Sequence, residues 1–130
     1  MSPPSARAVA KAYEKRRTAF SSETELFGAL RSVPLLGHTP GHTGFIVSSD
    51  GETLLIWADI VHHATFRFAH PEWGPAFDVD SVVAVSSRKR AFDHAVYDGI
   101  MVTGMNLPFA GFGHVTQESG SYRFVAAEMA

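Results

Sequence analysis

Apolar positions in this chain switch between helical and strand periods, and each switch marks an element. Over residues 5–20 the period is helical: Val9, Ala12, Tyr13, Arg16 and Phe20 recur at three- and four-residue spacing, while Lys11, Lys15 and Arg17 fall on the other side. Ser5 is placed to cap the start, so a helix with one packed face is expected there. Residues 21–34 mix Leu26, Phe27, Leu30 and Val33 with polar positions and suit short strands or turns. Thr43 to Ser49 and Glu52 to Ala58 are rich in β-formers and are joined by Asp50-Gly51. Both turn residues tolerate positive φ, so this is a strong hairpin signal. The second arm, Thr53-Leu54-Leu55-Ile56-Trp57, is nearly continuous in apolar residues, which predicts burial on both faces.

Residues 64–80 carry aromatics and prolines without a clear period and read as one long loop. Asp80 then caps a helix over 81–98, with Val82, Val85, Phe92 and Val96 inward and Arg88, Lys89 and Arg90 on a solvated face; Gly99 ends it. Ile100 to Thr103 reads as a short buried strand, and residues 113–118 and 121–125 alternate as a last hairpin around Ser119-Gly120.

At 130 residues the chain suits a single domain, residues 1–130, with 45% hydrophobic and 18% charged residues. A net charge of −2 gives no electrostatic reason to bind nucleic acid or anionic lipid. The apolar runs are too short to span a bilayer, and residues 1–7 do not read as a signal peptide, so a cytoplasmic protein is expected. With no cysteine, any metal site must be built from His, Asp and Glu.

Seven histidines give such a site ample material. His38 and His42 stand four residues apart on a segment held by Gly37, Pro40, Gly41 and Gly44, at the mouth of a strand. On spacing alone this is as readily a polar turn as a metal loop. Asp59, His62 and His63 follow directly on the apolar strand, and Asn106 follows the next one. Polar groups at the ends of buried strands are where layered α/β proteins bind ligands, and imidazole with carboxylate suits zinc, iron or manganese. His62-His63 also reads as a solvated pair at a strand exit. Phe66, Phe68, Trp73 and Phe77 suit either an apolar substrate pocket or the packing of the long loop. No Gly-x-Ser-x-Gly elbow surrounds a serine, and Gly111-Phe112-Gly113 is not followed by Gly-Lys-Ser/Thr, which argues against a serine triad and a phosphate loop.

Residues 33–130 resemble the second half of a metallo-β-lactamase-fold hydrolase. Gly37-His38-Thr39-Pro40-Gly41-His42-Thr43-Gly44 looks like the family's Thr-Pro-Gly-His-Thr-Pro-Gly-His segment, Trp57-Ala58-Asp59 like its strand ending in Gly-Asp, and residues 104–113 like a Gly-x-His-x-Pro-Phe-Pro-Gly-x-Gly run. The resemblance implies His38 and Asp59 as metal ligands and His42 in a supporting role, with Asn106 standing at a third ligand's position. His62, His63, His70 and His114 are candidates to complete the site. It implies an α+β fold, half of an αββα sandwich with a mixed sheet packed by helices, and a divalent metal, zinc before iron or manganese. The implied reaction is hydrolysis of an ester, lactone, amide or thioester bond in a small molecule. The family's His-x-His-x-Asp-His motif is absent, since no histidine precedes Val33. Half a sandwich would leave one apolar sheet face bare, so a homodimer that completes the sandwich is expected. The alternatives are a non-catalytic remnant serving as a binding module, or one half of a split enzyme.

Overall fold

Asp50 and Gly51 take left-handed φ values of 51° and 84°, and the strands they join pair antiparallel from Ser49↔Glu52 to Phe45↔Ile56. The computed structural model describes residues 4–128. Residues 1–3, where the segment expected to lack a signal peptide begins, and residues 129–130, which end the family-like region, lie outside them. In chain order the elements are α1 (Pro4–Ala12), a 3-10 turn (Glu14–Arg16), β1 (Glu25–Leu26), β2 (Leu30–Pro34), β3 (Thr43–Ser49) and β4 (Glu52–Ile56). There follow a 3-10 turn (Ala58–Ile60), α2 (Ala64–Ala69), α3 (Ser81–Asp98), β5 (Met101–Thr103), β6 (Phe112–Glu118) and β7 (Ser121–Ala126). Among the described residues these form one seven-stranded sheet in the order β1 to β7. Neighbours are antiparallel except β4 and β5, which run parallel. A parallel pair needs a long crossover, and α2 and α3 supply it.

Strand alternation places Ile46, Leu55, Val102 and Val115 on one face. There they form the core with Trp57, Phe68, Phe92 and Ala95. The opposite side chains of the central strands, Phe45, Val47, Leu54, Ile56 and Met101, are only half-buried. The expectation that β4 is buried on both faces is thus corrected: Leu55 is buried and its neighbours Leu54 and Ile56 are half-exposed.

Three further expectations change. The first helix stops at Ala12, and its apolar stripe faces outward, with Val9, Tyr13 and Phe20 60%, 55% and 41% exposed. A helix this short has little stability of its own, and without a packed face it gives way after Tyr13 to a 3-10 turn. The long loop contains α2, which places Arg67 and Phe68 inside. In α3 the ends are as expected, with the Asp80 carboxylate accepting the Val83 N–H at 3.0 Å and Gly99 in the left-handed region. Its inner face is so only in part, with Phe92 buried and Val96 packed against the core as expected. Ala84, Ser87, Arg88, Ala91, Phe92 and Ala95 are buried, whereas Val82 is 78% exposed. The small alanines let the helix lie close to its neighbours. Arg88 is inside because the carbonyls of Ile60, Pro71 and Trp73 accept its N–H groups at 2.8, 2.6 and 3.1 Å.

Candidate metal centre

The loop after β2 rests on the first turn of α3. A Cβ at Gly37 would lie 2.1 Å from the Ala84 backbone nitrogen, and the residue has φ +121°; both facts demand glycine. Backbone bonds sew the contact, Asp80 N–H to Gly37 O at 2.9 Å and Val79 N–H to His38 O at 3.3 Å. Gly44 is crowded by the Ile56 carbonyl, whereas Gly41 faces open space.

His42 is buried, and both its nitrogens are committed. Nδ1 lies 2.8 Å from the Leu35 carbonyl, which can only accept, and Nε2 accepts the Asp59 N–H at 3.1 Å. The ring therefore ties the loop to the 3-10 turn after β4 and has no lone pair left for a metal.

His38 is held differently. Its Nδ1 is 2.9 Å from Asp78 Oδ1, and the Asp78 side chain is completely buried. A carboxylate accepts, so Nδ1 carries the proton and Nε2 keeps its lone pair. Carboxylate-oriented imidazole of this kind is the usual setting of a metal-ligating histidine. The His62 ring centroid lies 4.7 Å from that of His38. Both His62 ring nitrogens and Asp78 Oδ2 are buried without a hydrogen-bond partner among the described residues. Arg88 Nη2 lies 4.0 Å from Asp78 Oδ2. Phe77 stands edge-on to both imidazoles, at 5.9 Å from His38 and 5.3 Å from His62. Burial pushes His62 below the ordinary histidine pKa, and His38 and Arg67 add to this while Asp78 and Asp59 oppose it.

Among the described residues His38, His62 and Asp78 can each bring one ligand atom within 4.8 Å of the others. Asp59 is outside this group, in the 3-10 turn with its backbone N–H on His42. Asn106 takes a left-handed φ of 62°, and its Nδ2 donates to the Val61 carbonyl at 3.2 Å. It is also an amide, a weak ligand for zinc. His63 is exposed against Phe66, with ring centroids 4.6 Å apart. His70 stacks on Trp73 at 4.0 Å, and His114 is exposed on β6. Of the positions the resemblance implies, His38 belongs to this cluster of His and Asp side chains and Asp59 does not, and Asn106 rests on the Val61 carbonyl. In this cluster the His62 ring nitrogens and Asp78 Oδ2 are the buried polar atoms left without a partner among the described residues.

Asp78 was missing from the sequence reading. Its trace there is the run Phe77-Asp78-Val79-Asp80, where the cap needs only one of two acids. The aromatic set divides. Phe68 is core, Phe77 covers the imidazoles, and Phe66 and Trp73 line an open groove of about 530 Å³ with His63, Arg67 and Gly74.

No family model and no curated protein match the chain. Solved structures do. AidC, a dizinc quorum-quenching lactonase in complex with a product, N-hexanoyl-L-homoserine, is 25% identical with a TM-score of 0.87 over 98% of this chain and 43% of its own. AbOPH, a hydrolase of the β-lactamase superfamily, is 28% identical with a TM-score of 0.84 over 93% of this chain and 42% of its own. An N-acyl homoserine lactone hydrolase with product bound at its catalytic metal centre shares the fold at 17% identity, with a TM-score of 0.56 over 73% of this chain and 40% of its own. The chain has the fold of these metallo-β-lactamase-type hydrolases and spans less than half of their length.

Proposed function

We propose that the chain serves metal-assisted hydrolysis of an ester, lactone or amide bond in a small molecule. The observation that carries this reading is His38, with one ring nitrogen fixed by a buried carboxylate and the other left free, in a fold shared with solved hydrolases that include a dizinc lactonase. A divalent cation held there would supply Lewis acidity, able to polarise a carbonyl and lower the pKa of water. Zinc suits the imidazole-rich donors best, with iron and manganese next. The chain's own residues do the positioning. Asp78 sets the tautomer and direction of His38, His42 holds the loop against the Asp59 turn, and Phe77 shields the imidazoles. The groove between Phe66 and Trp73 offers the apolar part of a substrate a place beside His63. A cytoplasmic setting belongs to the same proposal; no helix among the described residues is long and apolar enough to cross a membrane.

One observation favours a second reading, a binding module without turnover or half of a two-chain enzyme. Asn106 stands where the resemblance places a ligand, its Nδ2 donates to the Val61 carbonyl, and its remaining amide oxygen is a weak ligand for zinc. Zinc-loaded protein assayed on an N-acyl homoserine lactone and a p-nitrophenyl ester separates the two. Hydrolysis is expected to fall at least about tenfold in His38→Ala, the scale on which metal-site changes act. Background rates in both proteins would overturn the hydrolase reading in favour of the module.

A further inference from the structure

We propose that His38, His62 and Asp78 form a binding site for one divalent first-row cation, different from the His38–Asp59–Asn106 set that the resemblance implies. The three side chains come from separate segments: the loop after β2, the turn before α2 and the loop before α3. The polypeptide holds each of them. The His38 loop is docked on α3 through Gly37, the Val61 carbonyl just before His62 accepts from Asn106, and Asp78 lies fully buried two residues before the helix cap. The site therefore exists without a ligand to gather it.

What it lacks is a partner for its polar atoms. An imidazole with both nitrogens buried and unbonded, beside a buried carboxylate oxygen that is also unbonded, is an arrangement that folded proteins avoid. Arg88 does not remove the need. Its hydrogen bonds go to the carbonyls of Ile60, Pro71 and Trp73, and it approaches Asp78 Oδ2 no closer than 4.0 Å. In binding the cation His38 gives up the Nδ1 proton that it shares with Asp78, because Nε2 points away from that carboxylate and cannot meet it at one ion. A cation answers the imidazole lone pair and the carboxylate charge together. Two imidazoles and one carboxylate favour zinc, cobalt or nickel over calcium or magnesium, which prefer all-oxygen sites. The site stands whether or not the chain turns over a substrate.

Cobalt(II) titration of chelator-stripped protein, followed by the visible absorption of the bound ion, tests this without an activity assay. The expected result is one cobalt per chain, displaced by zinc. His62→Ala and Asp78→Asn should each weaken binding at least about tenfold, and Asp59→Ala should leave it within about threefold of wild type. His62→Gln, checked by circular dichroism, replaces His62→Ala should that variant fail to fold. Absence of cobalt binding would overturn the site. So would loss of binding in Asp59→Ala with retention in the His62 variants, which would return the ion to the family-type set. Cobalt bound to a protein that hydrolyses nothing would uphold the site and sink the hydrolase reading alone.

Discussion

A guanidinium on the inner face of a helix is costly to bury, and Arg88 shows what offsets the cost. Three carbonyls that close the segment between β4 and α3 accept its hydrogen bonds. Burial chiefly, then Arg67, pulls its pKa below the ordinary arginine value, against the pull of Asp78. Arg88→Met would strip the Ile60 and Pro71 carbonyls of this donor and remove the guanidinium beside Asp78, leaving Arg67 to serve the Trp73 carbonyl. A loss of about 3–5 kcal/mol is expected, the scale for breaking a buried pair from one side, measured by urea unfolding; a loss under about 1 kcal/mol would show that water replaces the guanidinium at little cost. The sequence offers no hint of this role. Arg88-Lys89-Arg90 reads as a surface run because helical period alone cannot tell which cation has carbonyls waiting for it. The same reason hid Asp78, forty residues from the histidine it holds. His38 and His42 were legible because their glycine- and proline-rich loop is local.

Elements whose ends are set by local chemistry were readable, and those set by packing were not. The two hairpin turns, Asp50-Gly51 and Ser119-Gly120, both take positive φ, and α3 begins and ends at its cap residues. The first helix and the outer side of β4 depended on what covers them, which periodicity does not state. The glycine loop lies between these cases. Gly37→Ala would drive a Cβ into the Ala84 backbone, which cannot rotate away as a side chain would. The loop must then lift from α3, losing the Asp80 N–H bond to Gly37 O and drawing His38 from Asp78. The expected cost is about 2–4 kcal/mol, the range for clashes combined with strained φ. Gly41→Ala meets open space and should cost under about 0.5 kcal/mol. Equal denaturation midpoints for the two variants would refute this account of the loop.

For the whole molecule the unsettled surface is the second face of the sheet. The core occupies the side of Ile46, Leu55 and Val102, so Phe45, Val47, Leu54, Ile56 and Met101 form a continuous apolar strip on the other, joined by Phe45↔Ile56, Val47↔Leu54 and Leu54↔Met101. Phe112 and Val125 extend the exposed apolar surface at 40% and 46% exposure. Contiguous apolar surface on this scale usually marks an interface, and AidC carries the matching fold within a chain of which this one spans 43%. We propose that a second copy of the chain covers the strip. A face about five strands wide is roughly 24 Å across, so a dimer that buries roughly 800 Å² per partner takes in the strip together with the residues around it. Light scattering behind size exclusion at micromolar concentration should then give twice the chain mass. The pair of substitutions Val47→Glu and Leu54→Glu, opposite one another across β3 and β4 and away from the core, should return the chain mass and leave cobalt binding intact. A wild-type monomer whose behaviour the two charges do not change would sink the dimer, and the strip would then have to be covered by a different polypeptide.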